Sequence, residues 1–155
     1  MENKKYCYEY PHPAVTADCV VFGVEDGKLH ILLIERGGEP YKGCWAIPGG
    51  FMNIDESADL AAIRELKEET DLDVSNVRQV GAYTTVDRDP RERIVDIAYY
   101  TVIQKTEARG CDDAAQAKWF PIDELPTLAF DHAEILRDAK QKLSDDLAKG
   151  LVTLP

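Results

Sequence analysis

Cysteine is sparse in this chain of 155 residues: Cys7, Cys19, Cys44 and Cys111 stand far apart, with no CxxC pair and no histidine pairing at zinc spacing. That argues against a disulfide framework or a structural zinc site, and free thiols in a reducing compartment are expected. Long apolar runs are missing, so no segment reads as a membrane span. The opening Met1-Glu2-Asn3-Lys4-Lys5-Tyr6 leads into no apolar signal segment, and a cytoplasmic protein is the expectation. Positive charge is also scarce: 18 Lys and Arg face 29 Asp and Glu, a formal net charge of −11. Sequence-independent binding to nucleic acid or an anionic membrane needs a cationic surface, so both partner classes are disfavoured. The length suits one domain, residues 1–155, with a proper core.

What is present is an alternation of apolar runs and turn residues. Residues 1–12 are polar and aromatic without a period, an arm rather than an element. Ala14 to Val24 reads as a buried strand, turning at Glu25-Asp26-Gly27-Lys28 into a second strand from Leu29 to Ile34. Arg36-Gly37-Gly38-Glu39-Pro40 breaks that strand, and Trp45 to Ile47 is short and strand-like before Pro48-Gly49-Gly50. A helix is predicted over 57–70, then strands at Val77–Val86, Ile94–Ile103 and Ala117–Phe120. Leu136, Ala139, Leu143 and Leu147 mark an amphipathic helix over 131–149. The expected class is α/β, a mixed β-sheet sandwiched between α-helices.

The densest information lies between Gly50 and Leu72, GFMNIDESADLAAIRELKEETDL. At 3.6 residues per turn, Glu65, Glu68 and Glu69 share an arc of roughly 100° on the helix. Ala62, Ile63, Leu66 and Thr70 adjoin them as the stripe to bury. Carboxylates this crowded repel unless a cation lies between them, which points to a divalent metal and phosphate chemistry. A run of glutamates alone would be a solvated face. Here eight positions also fit one pattern, which chance would produce on the order of once in a million chains.

The segment resembles the Nudix box, Gly-x5-Glu-x7-Arg-Glu-U-x-Glu-Glu-x-Gly-U with U aliphatic, and the chain is identified as a member of the Nudix family. Every position matches except the second glycine, which is Asp71 here. That glycine closes the helix in a left-handed conformation, which aspartate adopts at a cost of about 1 kcal/mol or less. The likeness continues upstream through Trp45-Ala46-Ile47-Pro48-Gly49-Gly50. It implies the Nudix α/β/α fold and a magnesium cofactor, with manganese also suitable. The metal would be held by Glu65, Glu68, Glu69 and the carbonyl of Gly50, and the same glutamates would carry catalysis. Glu56 and Arg64 would brace the loop-helix geometry, with Arg64 turned away from the centre of the carboxylate arc. The general base would be Glu65 or Glu68, or a carboxylate from a distant loop, for which Glu107, Asp112 and Asp113 are candidates.

The box implies a nucleoside diphosphate linked to a further group, and nothing narrower. Arg36, Arg88-Asp89-Pro90-Arg91 and Leu128-Ala129-Phe130-Asp131-His132 resemble features of ADP-ribose pyrophosphatases and of Nudix domains that sense ADP-ribose in transcriptional regulators. Arg36, Arg88 and Arg91 are the expected substrate-binding arginines, since guanidinium forks suit phosphate oxygens. Phe51, Tyr10 and Tyr83 are aromatic candidates for stacking a base, and His132 reads as a helix-start residue. Hydrolysis of ADP-ribose to AMP and ribose 5-phosphate is the leading expectation. The alternatives are cleavage of (oxidised) nucleoside triphosphates and a sensor that binds ADP-ribose without turnover. Intact carboxylates and a single helix after residue 131 favour the enzyme. The N-terminal arm and outer strands could pair in a homodimer, as related enzymes often do.

Overall fold

The computed structural model describes residues 6–155, so the first five residues of the predicted arm lie outside the described residues. The run from Ala14 to Glu25 forms strand β1, followed by β2 at Lys28–Arg36. Asp26 and Gly27 both take positive φ, 50° and 72°, as a two-residue hairpin turn requires. Short strands β3, Trp45–Ala46, and β4, Gly49–Phe51, precede helix α1 at Ala58–Thr70. Strands β5, Arg78–Tyr83, β6, Ile94–Gln104, and β7, Ala114–Pro121, then lead to helix α2 at His132–Ala148.

β1 reads as an unbroken apolar run because both of its faces are covered. Side chains alternate across a sheet, so Val20 and Phe22 point to one face while Cys19 and Val21 point to the other. On the first face they pack with Ile31, Leu33, Tyr100 and the α2 residues Ile135, Leu136, Ala139 and Leu143. On the second they meet Leu32, Tyr99 and the α1 residues Ala61, Ala62 and Leu66. The result is the expected mixed sheet between two helices: β1 runs parallel to β6 and antiparallel to β2.

One irregularity in this sheet positions the site. β1 pairs with β2 only from Val21 to Glu25, and pairing stops at Leu32 of β2. Beyond that point β1 pairs instead with β4, through Thr16, Ala17 and Asp18, while Ile34 and Glu35 of β2 take β3. The β3–β4 turn therefore fills a fork between β1 and β2, and the Gly49-Gly50 backbone sits in it. β4 goes beyond the sequence reading, since three residues with two glycines carry no strand signal. The strand expected at Val77–Val86 is shorter at both ends. β7 begins earlier than expected, at Ala114, where backbone pairing to Arg36 overrides a polar sequence.

Candidate active site

Helix α1 starts after Ser57, whose backbone is extended (φ −82°, ψ 159°) but whose hydroxyl makes no capping bond. It ends at Asp71 in the left-handed conformation, φ 60°, with the Asp71 N–H donating to the Lys67 carbonyl at 2.9 Å. Lys67 bonds the carboxylates of Asp71 at 2.7 Å and Asp73 at 2.9 Å, offsetting negative charge at this helix end. Two further carbonyls of the last turn are capped from a distance. The Cys111 N–H donates to Glu69 and the Arg109 N–H to Thr70, at 3.0 and 3.1 Å. Satisfying these carbonyls draws the 105–113 loop over the helix and carries Asp112 and Asp113 to the rim of the cleft beside α1.

That cleft has a volume of about 580 Å³ and is lined by Gly50, Glu65, Glu68, Glu69, Arg36, Phe51 and Arg91, among others. Glu69 is buried, and its Oε2 accepts the Gly49 N–H at 3.0 Å. Burial pushes its pKa up to about 8, with the neighbouring Glu65 charge adding to the rise. Burial also raises Glu65, against the lowering effect of Arg64. A Cβ at Gly50 would stand 2.5 Å from the Glu65 carboxyl carbon, so the Glu65 side chain would have to shift to admit it. Gly49 is more tightly constrained: its Cβ would lie 2.6 Å from Asp18 Cα and 2.7 Å from the Ala17 carbonyl, both backbone.

Arg64 departs from the expectation that it turns away from the carboxylates. Its Nε and Nη2 fork Glu56 at 3.0 and 2.6 Å, and Nη2 also reaches the Phe51 carbonyl at 3.1 Å. Its Nη1 bonds Glu65 at 2.7 Å and Glu68 at 3.0 Å. The guanidinium thus ties the loop after β4 to the helix and also partly neutralises two glutamates of the box. Arg64 holds the Glu56 carboxyl down to about pKa 2, with the Asn53 N–H, 2.7 Å away, assisting.

The three arginines expected to bind substrate separate into two kinds. Among the described residues Arg36 bonds only the Pro40 carbonyl, through Nε at 2.8 Å, and it lines the cleft. Arg91 is held by Asp89 at 3.0 and 2.7 Å and lies over the Phe51 ring at 5.0 Å. Arg88 is different. It also lines the cleft, but its side chain is 3 % exposed, and Asp131 forks its Nε and Nη2 at 2.8 and 2.6 Å. A buried guanidinium with a bidentate carboxylate partner is committed first to that ion pair, with Nη1 left outside it.

Beneath the cleft lies a polar floor that sequence reasoning missed. Asp18 and Asp96 are buried on adjacent strands β1 and β6, and Thr16 donates to Asp96 at 2.8 Å. Burial raises both carboxyls, Asp96 to about 7. His132 opens α2 as expected, yet it also reaches the floor. Its Nδ1 accepts the Ile47 N–H at 3.0 Å, which leaves the proton on Nε2, 3.2 Å from Asp18. Burial lowers its pKa to about 3, so it is a neutral spacer between α2 and the β3–β4 turn. The signal for these residues was a lone Asp inside an apolar strand, at Asp18 and again at Asp96. Other candidates fall away from the cleft. Glu107 is largely exposed and lies 3.7 Å from Arg109, Tyr10 is exposed, and Tyr83 bonds Asp138 on another face.

A model of the NUDIX domain matches residues 12–139. The chain belongs to this family. It is 42% identical over 135 residues to an ADP-ribose pyrophosphatase of Methanocaldococcus jannaschii, covering 87% of this chain and 77% of that protein. It is 34% identical over 142 residues to the ADPR responsive transcriptional repressor NtrR of Acinetobacter baylyi, covering 88% of this chain but only 57% of the repressor. Among solved structures, a MutT/nudix family protein from Enterococcus faecalis superposes with a TM-score of 0.83 at 32% identity, over 91% of this chain and 66% of that one. The NUDIX domain of Shewanella oneidensis NrtR complexed with ADP ribose superposes at 0.78 with 28% identity, over 86% and 90% of the two chains.

NUDIX hydrolases generally use divalent metals, and the donors here fit such an ion in part. Among the described residues, no three His, Cys, Asp or Glu side chains converge tightly enough to hold one unaided. Arg64 bonds both Glu65 and Glu68, at 2.7 and 3.0 Å. Glu65, Glu68 and Glu69 all line the cleft as hard-oxygen donors, together with Gly50. Magnesium is held in this way when one or two carboxylates are completed by water and substrate phosphate oxygens. No membrane-spanning role arises from the helices: none among the described residues is long and apolar enough to cross a bilayer.

Proposed function

We propose that the chain is a magnesium-dependent pyrophosphohydrolase that cleaves ADP-ribose to AMP and ribose 5-phosphate. One observation carries this reading: a single cleft is lined both by Glu65, Glu69 and Gly50 and by two arginines, Arg36 and Arg91. Anionic oxygens and guanidinium donors gathered in one cleft suit a diphosphate bound through an ion. Similarity to the M. jannaschii pyrophosphatase and to a NUDIX domain complexed with ADP ribose supports ADP-ribose as the nucleotide.

Glu65, Glu68, Glu69 and the Gly50 carbonyl would hold the ion, with manganese a workable substitute. When bound, that ion neutralises the diphosphate and lowers the pKa of an attacking water. Arg36 and Arg91 orient the two phosphates, and Phe51 forms an apolar wall beside them. The water oxygen attacks one phosphorus as the bridging P–O bond breaks, and the leaving phosphate takes the electron pair. Glu65 or Glu68, or Asp112 or Asp113, which also line the cleft, would accept the water's proton, while Glu56 and Arg64 hold the loop and helix in register. A small nucleotide is the natural partner of a cleft this size; the net charge of −11 disfavours a nucleic-acid polymer.

Turnover of ADP-ribose, NADH, sugar nucleotides and nucleoside triphosphates in magnesium, followed by product chromatography, tests the assignment. ADP-ribose should be cleaved fastest, and Glu69→Gln should lower kcat by a factor on the order of a thousand while the fold persists. Tight ADP-ribose binding without turnover of any member would replace the enzyme with a sensor. Preferred turnover of triphosphates would replace the substrate.

A further inference from the structure

Phe130 lies just before α2, and the roles assigned above leave it unused. Its φ is +51°, a conformation that disfavours any residue with a Cβ and that persists only where surrounding bonds impose it. Those bonds are present: the Ala129 N–H donates to the Trp45 carbonyl at 2.8 Å, and the His132 N–H donates to the Ala129 carbonyl at 3.2 Å. The backbone is pinned on both sides, and the ring is thrown into the cleft wall. There it packs against Tyr41 and His132, with ring centroids 4.6 and 5.3 Å apart.

Two guanidiniums share this ring. Arg36 Cζ lies 4.9 Å from its centroid and Arg91 Cζ 5.7 Å, while Arg91 also covers Phe51 at 5.0 Å. Arg36, Phe130, Arg91 and Phe51 thus form a continuous chain of ring–cation contacts within the cleft lining. Arg36 has no carboxylate within ion-pair distance among the described residues, and burial together with the Arg91 charge lowers its pKa. Two cations brought together by backbone and ring, one without a counter-ion, form a site awaiting an anion.

We propose that Phe130 is a positioning residue: by packing against both the Arg36 and Arg91 guanidiniums it holds the two together in the cleft, and so sets affinity for a diphosphate group. The inference rests on the pyrophosphohydrolase reading for its substrate, but the clamp has its own readout. A diphosphate's two adjacent anionic centres are matched by two donors on one ring, which a monophosphate would engage only singly. The ring acts through the arginines and does not touch the bond that breaks.

The test uses the full chain with magnesium pyrophosphate as an isothermal-calorimetry probe, alongside ADP-ribose kinetics. Phe130→Leu should weaken pyrophosphate binding about tenfold and raise KM for ADP-ribose about equally, with kcat within about twofold of the parent. Phe130→Tyr and Phe130→Trp, which keep a ring face, should restore binding to within about threefold. In an Arg36→Met background, Phe130→Leu should add much less, because the two act as one unit. Unchanged pyrophosphate affinity in Phe130→Leu, or an affinity loss that Tyr and Trp fail to restore, would overturn the proposal. So would absence of pyrophosphate binding by the parent protein. Failure of the parent to cleave ADP-ribose sinks the substrate reading instead, and the pyrophosphate titration still decides the clamp.

Discussion

Replacing Arg88 by alanine separates a phosphate-binding arginine from a structural one. In the fold, the Arg88 fork is closed by Asp131 at 2.6 and 2.8 Å, and its side chain is 3 % exposed. It is also the cation that draws down the raised carboxyls of Asp18 and Asp96. Truncation would leave three carboxylates around a buried space with their attraction removed. Breaking one side of a buried pair costs about 3–5 kcal/mol. Asp131 keeps some solvent, so the lower end of that range applies, about 3 kcal/mol. For a chain of 155 residues this corresponds to a fall in Tm of roughly 10 °C. Urea denaturation with an unchanged m-value is the assay, because a shift in midpoint at constant m isolates stability. Adding Asp131→Asn should recover part of the loss, since the double variant no longer buries the unpaired Asp131 charge. Below its melting range the folded variant should keep KM for ADP-ribose within about threefold of the parent. A variant as stable as the parent but with KM raised tenfold would refute the argument and return Arg88 to the substrate.

Stability should also depend on pH through Asp96. Its folded pKa, about 7, lies above the ordinary 3.8, so the folded state holds an extra proton between those values. The stabilisation is full below about pH 4 and is lost as pH rises through about 7, a change of a few kcal/mol at most. Asp96→Asn should flatten that fall in urea titrations, and Asp18, raised in the same direction, should leave a residual slope. Gly49→Ala should destabilise by about 1–3 kcal/mol, because the new methyl meets the backbone of Ala17 and Asp18 and a strand cannot step aside as a flexible side chain could. Its thermal midpoint, set against that of Gly38→Ala, where the added Cβ meets nothing within 4 Å, is the measurement.

What could be read from the sequence follows from how local each signal is. The α1 carboxylates, the Asp71 terminator and the buried stripe of α2 are consequences of a 3.6-residue period and of single-residue conformational preferences, so they stood in the sequence and recur in the fold. Arg88 could not be placed in that way. An arginine in the loop Asp87-Arg88-Asp89-Pro90-Arg91 looks the same whether it faces solvent, substrate or a carboxylate 43 residues further on, and only tertiary packing brings Asp131 to it. Asp18 and Asp96 carried a weaker signal, one charge within each otherwise apolar strand, which had meaning only once β1 and β6 were known to be neighbours. The same logic explains Phe130. Its ring matters because a left-handed backbone aims it at two arginines that come from β2 and from the loop before β6, 94 and 39 residues earlier in the chain. The carboxylate cluster is thus encoded in one helix, where spacing reveals it and its likeness to the Nudix box implies the reaction class. The arginines and Phe130 share no local pattern, so their meeting becomes visible only when the fold brings them to one cleft.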